Sequence, residues 1–201
     1  SSDSHYIINL GKGLADKGIS VCYGTLFNTG IEKPEWMSKE IDYFCLNVAS
    51  KKDFIPAAWK LRNYLRENKI DILQTHLYEA SFVGMLAAKL AGTKVKILTR
   101  HYLDQNHQIG NKLALFLDRW EAKTADEIIV LSNAVKEFMS DVEKVDADKI
   151  TVIHQGFDFD IFSASDEDGK KIRQEFGISE DDFVIGTIGN FTSTKGHRFM
   201  V

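Results

Sequence analysis

The sequence predicts an α/β fold: a Rossmann-like parallel sheet with helices on both faces. Three observations carry that expectation. Short runs rich in β-branched and aromatic residues alternate along the 201-residue chain with longer segments of helical spacing, the pattern of βαβ units. The strand-like runs are apolar on both faces, as happens when helices cover a sheet on both sides. No internal repeat interrupts the alternation, and no apolar run approaches the roughly 18–20 residues needed to span a bilayer.

The elements follow in order. Residues 4–17 place Ile7, Leu10 and Leu14 at spacings of three and four, with Ser2, Asp3 or Ser4 able to cap the start and Gly18 the end. Residues 19–27 and 42–48 read as strands. Residues 54–67 form an amphipathic helix through Ala58, Leu61 and Leu65, and 70–75 a buried strand. Residues 81–91 are nearly all small and apolar, which predicts a tightly packed helix ended by Gly92. Residues 94–99 form the next strand. Residues 111–125 make a helix with Leu113, Leu117 and Trp120 on its apolar face. The strand 127–131, the helix 133–141 capped by Ser132, and the strand 150–154 complete a first domain, 1–162. Residues 163–171, SASDEDGKK, read as a polar linker with a solvated acidic run at 166–168. A second domain opens over 172–201 with a short helix 172–176, a strand 183–188 and a glycine-flanked loop.

Composition narrows the function. Hydrophobic residues make up 44% and charged residues 27%, which excludes a disordered or collagen-like chain. The 25 Lys and Arg against 29 Asp and Glu leave a net charge of −4 without basic stripes, so nucleic acid is not an expected partner. Cys22 and Cys45 lie in strand-like runs and read as buried, reduced thiols, consistent with a cytoplasmic protein. The chain does not begin with Met and stops at Phe199-Met200-Val201 inside an opening helix, which reads as a piece of a longer protein.

In open parallel sheets ligands bind at the carboxyl ends of the strands. His76, Arg100, His101 and Ser132 fall there, as does Asn190 with Lys195 five residues on. Backbone N–H groups in the loop 189–196, together with a lysine, suit a diphosphate. The loop is not a P-loop, and the sequence has no GxGxxG, CxxC, HExxH or GxSxG. Asp158 and Asp160 follow Gly156 in a loop context that does not favour a metal site.

Several segments together resemble the retaining GT-B glycosyltransferases of family 4. They are DILQTH at 71–76, ILTRH at 97–101, ADEIIVLS at 125–132, ITVIHQGFD at 150–158 followed by Phe162, IRQEFGI from 172, FVIGTIG at 183–189, and Lys195-Gly-His197. The ordered set covers essentially the whole chain. The resemblance implies an N-terminal acceptor domain and a C-terminal nucleotide-sugar domain facing each other across a cleft. It implies sugar transfer to an acceptor hydroxyl with retained configuration, without metal or cofactor, the nucleotide sugar being substrate. His101 matches the histidine near the transferred sugar. Lys195 matches the basic residue that stabilises the leaving diphosphate, with Gly189 and Asn190 beside it. His76, Tyr78, Arg100 and Ser132 would line the acceptor or sugar side. The implied partners are a nucleotide-sugar donor and a sugar or lipid-linked acceptor, in polysaccharide, lipopolysaccharide or glycolipid synthesis. Lys112, Arg119 and Lys123 on one helix leave room for peripheral contact at the inner face of the cell membrane.

Departures from the family pattern also bear on function. Asn190 stands where the family usually has arginine and cannot fork onto phosphate. That keeps open a non-catalytic relative, or a Rossmann-like domain binding a sugar or nucleotide. Acceptor contacts would fall on variable segments such as 28–36 and 104–111. The family's first strand and glycine-rich loop would precede residue 1. Without them the flanking strands have open edges, so residues 1–201 alone are expected to be unstable or to associate.

Overall fold

A computed structural model describes residues 2–28, 41–103, 110–156, 165–189, 191–192 and 195–200, without the side chains of residues 2–5 and 8. The chain divides into two compact units, Ser1–Gly156 and Phe157–Val201.

The first unit runs α1 (Ser2–Ala15), β1 (Cys22–Phe27), β2 (Asp42–Val48), α2 (Phe54–Glu67), β3 (Ile72–His76), α3 (Tyr78–Ala91), β4 (Val95–Arg100), α4 (Lys112–Thr124), β5 (Glu127–Val130), α5 (Asn133–Asp141) and β6 (Ile150–Val152). Every ladder is parallel, as the alternation of strands and helices requires. The strands form two sheets, β1–β2 and β3–β4–β5–β6. Strands β1, β3 and β4 start one to three residues later than the sequence pattern predicts. Amides at or just before the expected starts close the preceding helices: Ile19 N–H donates to the Leu14 carbonyl, Ile70 to Leu65 and Thr93 to Ala88. Gly92, at φ +74°, makes the left-handed turn after α3. Cys22 and Cys45 are free and half-buried in the smaller sheet.

Two cores result. Leu26, Val48, Ala57, Ala58, Leu61 and Leu65 pack with Val83, Ala87 and Ala88 of α3. Met85 of the same helix packs with Leu98, Ala122, Ile128, Val130, Met139 and Ile150. Small residues let α3 lie close to β3. A Cβ built on Gly84 would run into the Thr75 methyl, which is itself buried.

Helix α4 corrects the expected face. Leu113 is 67% exposed, and the buried residues are Ala114, Asp118, Glu121 and Ala122. Asp118 turns inward to the Tyr102 hydroxyl, and Glu121 is buried on the same side of the helix. Arg100 donates through both terminal nitrogens to Glu143, just beyond α5, at 3.1 and 3.2 Å. Its guanidinium also lies 4.8 Å from the centre of the Tyr102 ring, whose hydroxyl donates to Asp118 at 2.8 Å. Arg100, Asp118 and Glu121 are each 1% exposed. The Glu121 oxygens have no hydrogen-bond partner among the described residues. Burial, then Asp118, push its carboxyl up to about 8 against the pull of Arg100, so it is held as the neutral acid at pH 7.

The second unit contains α6 (Asp166–Phe176). The helix begins at Asp166 rather than at the expected residue 172. Ser165 and Asp168 form a capping box, and the acidic run sits in the first turn, where the helix dipole favours negative charge. Residues 183–189 form no ladder among the described residues, so the expected strand there lacks the partner that would define it. Its apolar side chains Phe183, Ile185 and Ile188 are exposed.

Gly84→Ala is expected to lower stability by about 1–3 kcal/mol despite alanine's better helix propensity, because α3 must back away from Thr75; a urea midpoint lowered at constant slope is the readout. Glu121→Gln is expected to gain stability relative to wild type as pH rises. Folding raises the Glu121 pKa, so wild-type stability is full below the unfolded value near 4.5 and declines until pH reaches about 8. Denaturation of both proteins at pH 5 and pH 8 checks this, since other titrating groups cancel in the difference; a pH-independent difference would refute it.

Candidate functional site

The carboxyl ends of β3 and β4 bring two histidines together. Parallel pairing sets His76 opposite Thr99, and Gln74 Nε2 donates diagonally, from the rung two residues back, to Thr99 Oγ1 at 2.9 Å. The chain beyond β4 then carries His101 alongside His76. Their rings meet at Nδ1 of His76 and Nε2 of His101, 3.0 Å apart. Burial, with the neighbouring charge of His101 adding to it, pushes His76 down to about 4. His76 is therefore neutral at physiological pH.

The flanking residues hold this geometry. Arg100 and Tyr102, on either side of His101, are both tied into the buried carboxylate cluster. Immediately after His76, Leu77 caps α3 with φ 67° and ψ 160°. A branched side chain in that region costs on the order of 1–3 kcal/mol and persists only where surroundings impose it. Tyr6 of α1 sets its ring edge-on to both histidines, with centroids 6.3 and 6.4 Å away. Burial raises its hydroxyl above the ordinary phenol range. Only the edge-on ring contacts reveal Tyr6; its position in the helical pattern of α1 carries no functional signal.

The other sequence candidates are placed elsewhere. Arg100, expected along the sugar side, is instead enclosed at 1% exposure, its guanidinium bound by Glu143. Tyr78 opens α3, and its ring stands against Tyr102 at a 6.4 Å centroid distance. Burial, then Asp118, Glu121 and Glu79, push the Tyr78 hydroxyl up to about 12, so it faces the carboxylate cluster. Ser132 caps α5 by accepting from Val135 N–H. The carboxylates Asp118, Glu121 and Glu143 were missed in the sequence; the (i, i+3) spacing of the first two on an amphipathic helix is their only signal.

In the second unit, Gly189 faces the Lys195 stem and the His197 ring. A Cβ there would lie 3.5 Å from Lys195 Cγ and 3.7 Å from the ring. Lys195 N–H closes a turn on the Thr192 carbonyl at 3.1 Å, and Gly196 takes φ +67°. Asn190, Asp158, Asp160 and Phe162 lie outside the described residues, as do most of the segments expected to contact the acceptor. Among the described residues no group of three or more His, Cys, Asp or Glu could hold a metal ion.

Comparison with known proteins agrees with this fold. Residues 4–161 match Glycosyltransferase Family 4. The chain is 29% identical over 154 residues to the UDP-Gal:alpha-D-GlcNAc-diphosphoundecaprenol alpha-1,3-galactosyltransferase of Escherichia coli, covering 75% of this chain and 40% of that protein. It is 24% identical over 208 residues to an uncharacterized glycosyltransferase of Methanocaldococcus jannaschii, covering 96% and 52%. Among solved structures, Anabaena HepE in complex with UDP and glucose superposes with a TM-score of 0.75 at 20% identity, over 97% of this chain and 52% of that one. The chain thus spans about half the length, or less, of the proteins it matches, and it shares their GT-B, Rossmann-like architecture. With more than three quarters of its residues inside the family match, this chain belongs to glycosyltransferase family 4.

Proposed function

We propose that the protein transfers a sugar from a nucleotide-diphosphate sugar to an acceptor hydroxyl, with retention of configuration. The observation that carries this reading is the pairing of His76 and His101 at adjacent strand ends of a family 4 fold. In the reaction the bond between the anomeric carbon and the diphosphate oxygen breaks, and a bond to the acceptor oxygen forms. The diphosphate oxygen keeps the electron pair of the broken bond and gains negative charge, and the acceptor hydroxyl proton passes to that departing diphosphate or to solvent. His101 positions the transferred sugar. Lys195, with the backbone around Gly189 and Asn190, meets the diphosphate. A fixed cation stabilises the developing charge more than it stabilises the ground state, which is what lowers the barrier. In this mechanism the chain's own residues meet the charge, and the nucleotide sugar is consumed as substrate.

A uridine nucleotide sugar is the first donor to try. The E. coli relative is named for UDP-Gal, and Anabaena HepE was solved with UDP and glucose. The same relative is named for an acceptor on diphosphoundecaprenol, which supports a lipid-linked acceptor and work at the inner face of the cell membrane. The outer side of α4 fits peripheral contact there. Leu113 and Phe116 are exposed beside Lys112, Arg119 and Lys123. Among the described residues no helix is long and apolar enough to cross a membrane.

The test is nucleotide release by the full-length protein offered a panel of nucleotide sugars. Release is expected with one donor, and His101→Ala should slow it by about 100-fold, the cost of misplacing a reacting group. No release with any donor, in the presence of lipid-linked and free sugar acceptors, would favour the non-catalytic reading that Asn190 leaves open.

A further inference from the structure

We infer that the helical layer α2–α3–α4 docks on an anionic lipid bilayer through the edge that borders the histidine pair. Ile55 and Trp59 of α2, Leu77 before α3, and Leu113 and Phe116 of α4 enter the head-group layer, and the lysines beside them meet lipid phosphates. This rests on the transferase reading with a lipid-linked acceptor, and it extends the contact from α4 to a second helix.

The argument begins with chain direction. Helix α2 leads from the carboxyl end of β2 to the start of β3, α3 leaves directly after His76, and α4 ends where β5 begins. In parallel crossovers of this kind each helix starts at the carboxyl ends of the strands. The first turns of all three helices therefore lie at the edge where His76 and His101 meet. Helix α3 packs between the other two. Its Phe82 ring stands 6.3 Å from that of Phe54 in α2 and 5.9 Å from that of Trp120 in α4.

This edge exposes large apolar side chains. Ile55 and Trp59 share one face of α2 in its first two turns, and Leu113 and Phe116 do the same in α4. All four are more than half exposed, as is Leu77. Leu77 holds its side chain outward at φ 67°, a strained value that burial does not offset. Single exposed hydrophobics are ordinary, but five at one edge mark a surface with a partner.

Charge selects the partner. The exposed residues of α2 and of the turn before it include Lys51, Lys52, Lys60 and Arg66 against one acid, Glu67, in the last turn of α2. Asp53 is turned back on its own chain, accepting from the Ala49 and Ser50 amides. The Arg62 guanidinium lies 4.9 Å from the centre of the Trp59 ring. On α4 the exposed charges are all cations, because Asp118 and Glu121 are buried. Between them α3 contributes the half-buried Glu79 at its start and the exposed Lys89 in its last turn. This cationic surface belongs to a chain whose net charge is −4. A second copy docked face to face would set cations against cations. An anionic bilayer supplies negative charge at its surface and an apolar layer beneath it, which is what tryptophan and aliphatic tips ringed by lysines fit.

The experiment is sedimentation of the full-length protein with vesicles of phosphatidylcholine, alone or with about 30% phosphatidylglycerol. Binding is expected to the anionic vesicles and to be at least about 10-fold weaker to the neutral ones. Ile55→Ser combined with Trp59→Ser should weaken it by about 10- to 100-fold. Lys51→Glu with Lys52→Glu should weaken it by about 10-fold, whereas the same reversal at Lys170 and Lys171 of α6 should change it by less than about twofold. Brominated lipid should quench the wild-type tryptophan fluorescence, and less so that of Trp59→Phe. Failure to bind anionic vesicles would overturn the inference, as would binding that neither α2 double variant weakens. Self-association lost on the serine substitutions, with vesicle binding unchanged, would assign the edge to a second copy and overturn it too. Should the serine variant fail to fold, the charge variant and the wild-type quenching still decide. Turnover with a water-soluble acceptor reads the transferase proposal separately: its absence with every donor would overturn that reading, and the vesicle result would stand apart from it.

Discussion

A buried arginine at the end of a strand is the constraint on which the site depends. Arg100 has left water entirely, and a guanidinium so placed is tolerable only if its charge and its donors are met. Glu143 meets the charge and both terminal nitrogens with two parallel hydrogen bonds, and Tyr102 and Asp118 extend the arrangement to α4. The cost of leaving any of these groups alone is what makes the end of β4 stiff. His101 sits between two residues that cannot move without exposing a charge to an apolar interior. Its meeting with His76 follows from that restraint as much as from the ladder between β3 and β4.

Much of the fold was legible in the sequence because its periodicities are strong. Helix α2 spans the expected 54–67, and Ser132 caps α5 as its position before Asn133 suggested. The departures have local causes. Residues 19–21 and 70–71 read as strand starts, yet the Ile19 and Ile70 amides close the helices before them. The acidic run 166–168 looks like linker, yet a serine three residues ahead of an aspartate turns it into a helix start. Leu113 was expected inside because leucine usually is. The position is exposed because the inward side of α4 is occupied by buried acids, Asp118 among them accepting from the Tyr102 hydroxyl, and hydrophobic periodicity does not register a distant polar partner.

The site was legible in part, for the same reason. Position at the carboxyl end of a strand singled out His76 and His101, and the ladder between β3 and β4 brings their rings together. That criterion could not separate them from Arg100, which shares the strand end and faces the interior. Nor could it find Tyr6, which lies 70 residues before its nearer histidine (76 − 6) and approaches only through the packing of α1.

Helix α3 has a further bearing on how the molecule moves. Val83, Ala87 and Ala88 belong to one core, and Met85 belongs to the other. Among the described residues the two sheets share no ladder, so this helix is a mechanical bridge between them. Opening of the β1–β2 side would strip one flank of α3 while the other stayed packed, giving two tiers of amide-exchange protection within a single domain. The lower tier would contain the smaller sheet, and the higher tier would contain the strands that carry the histidine pair. A protein arranged in this way can loosen one side of its first unit while the geometry at His76 and His101 stays in register.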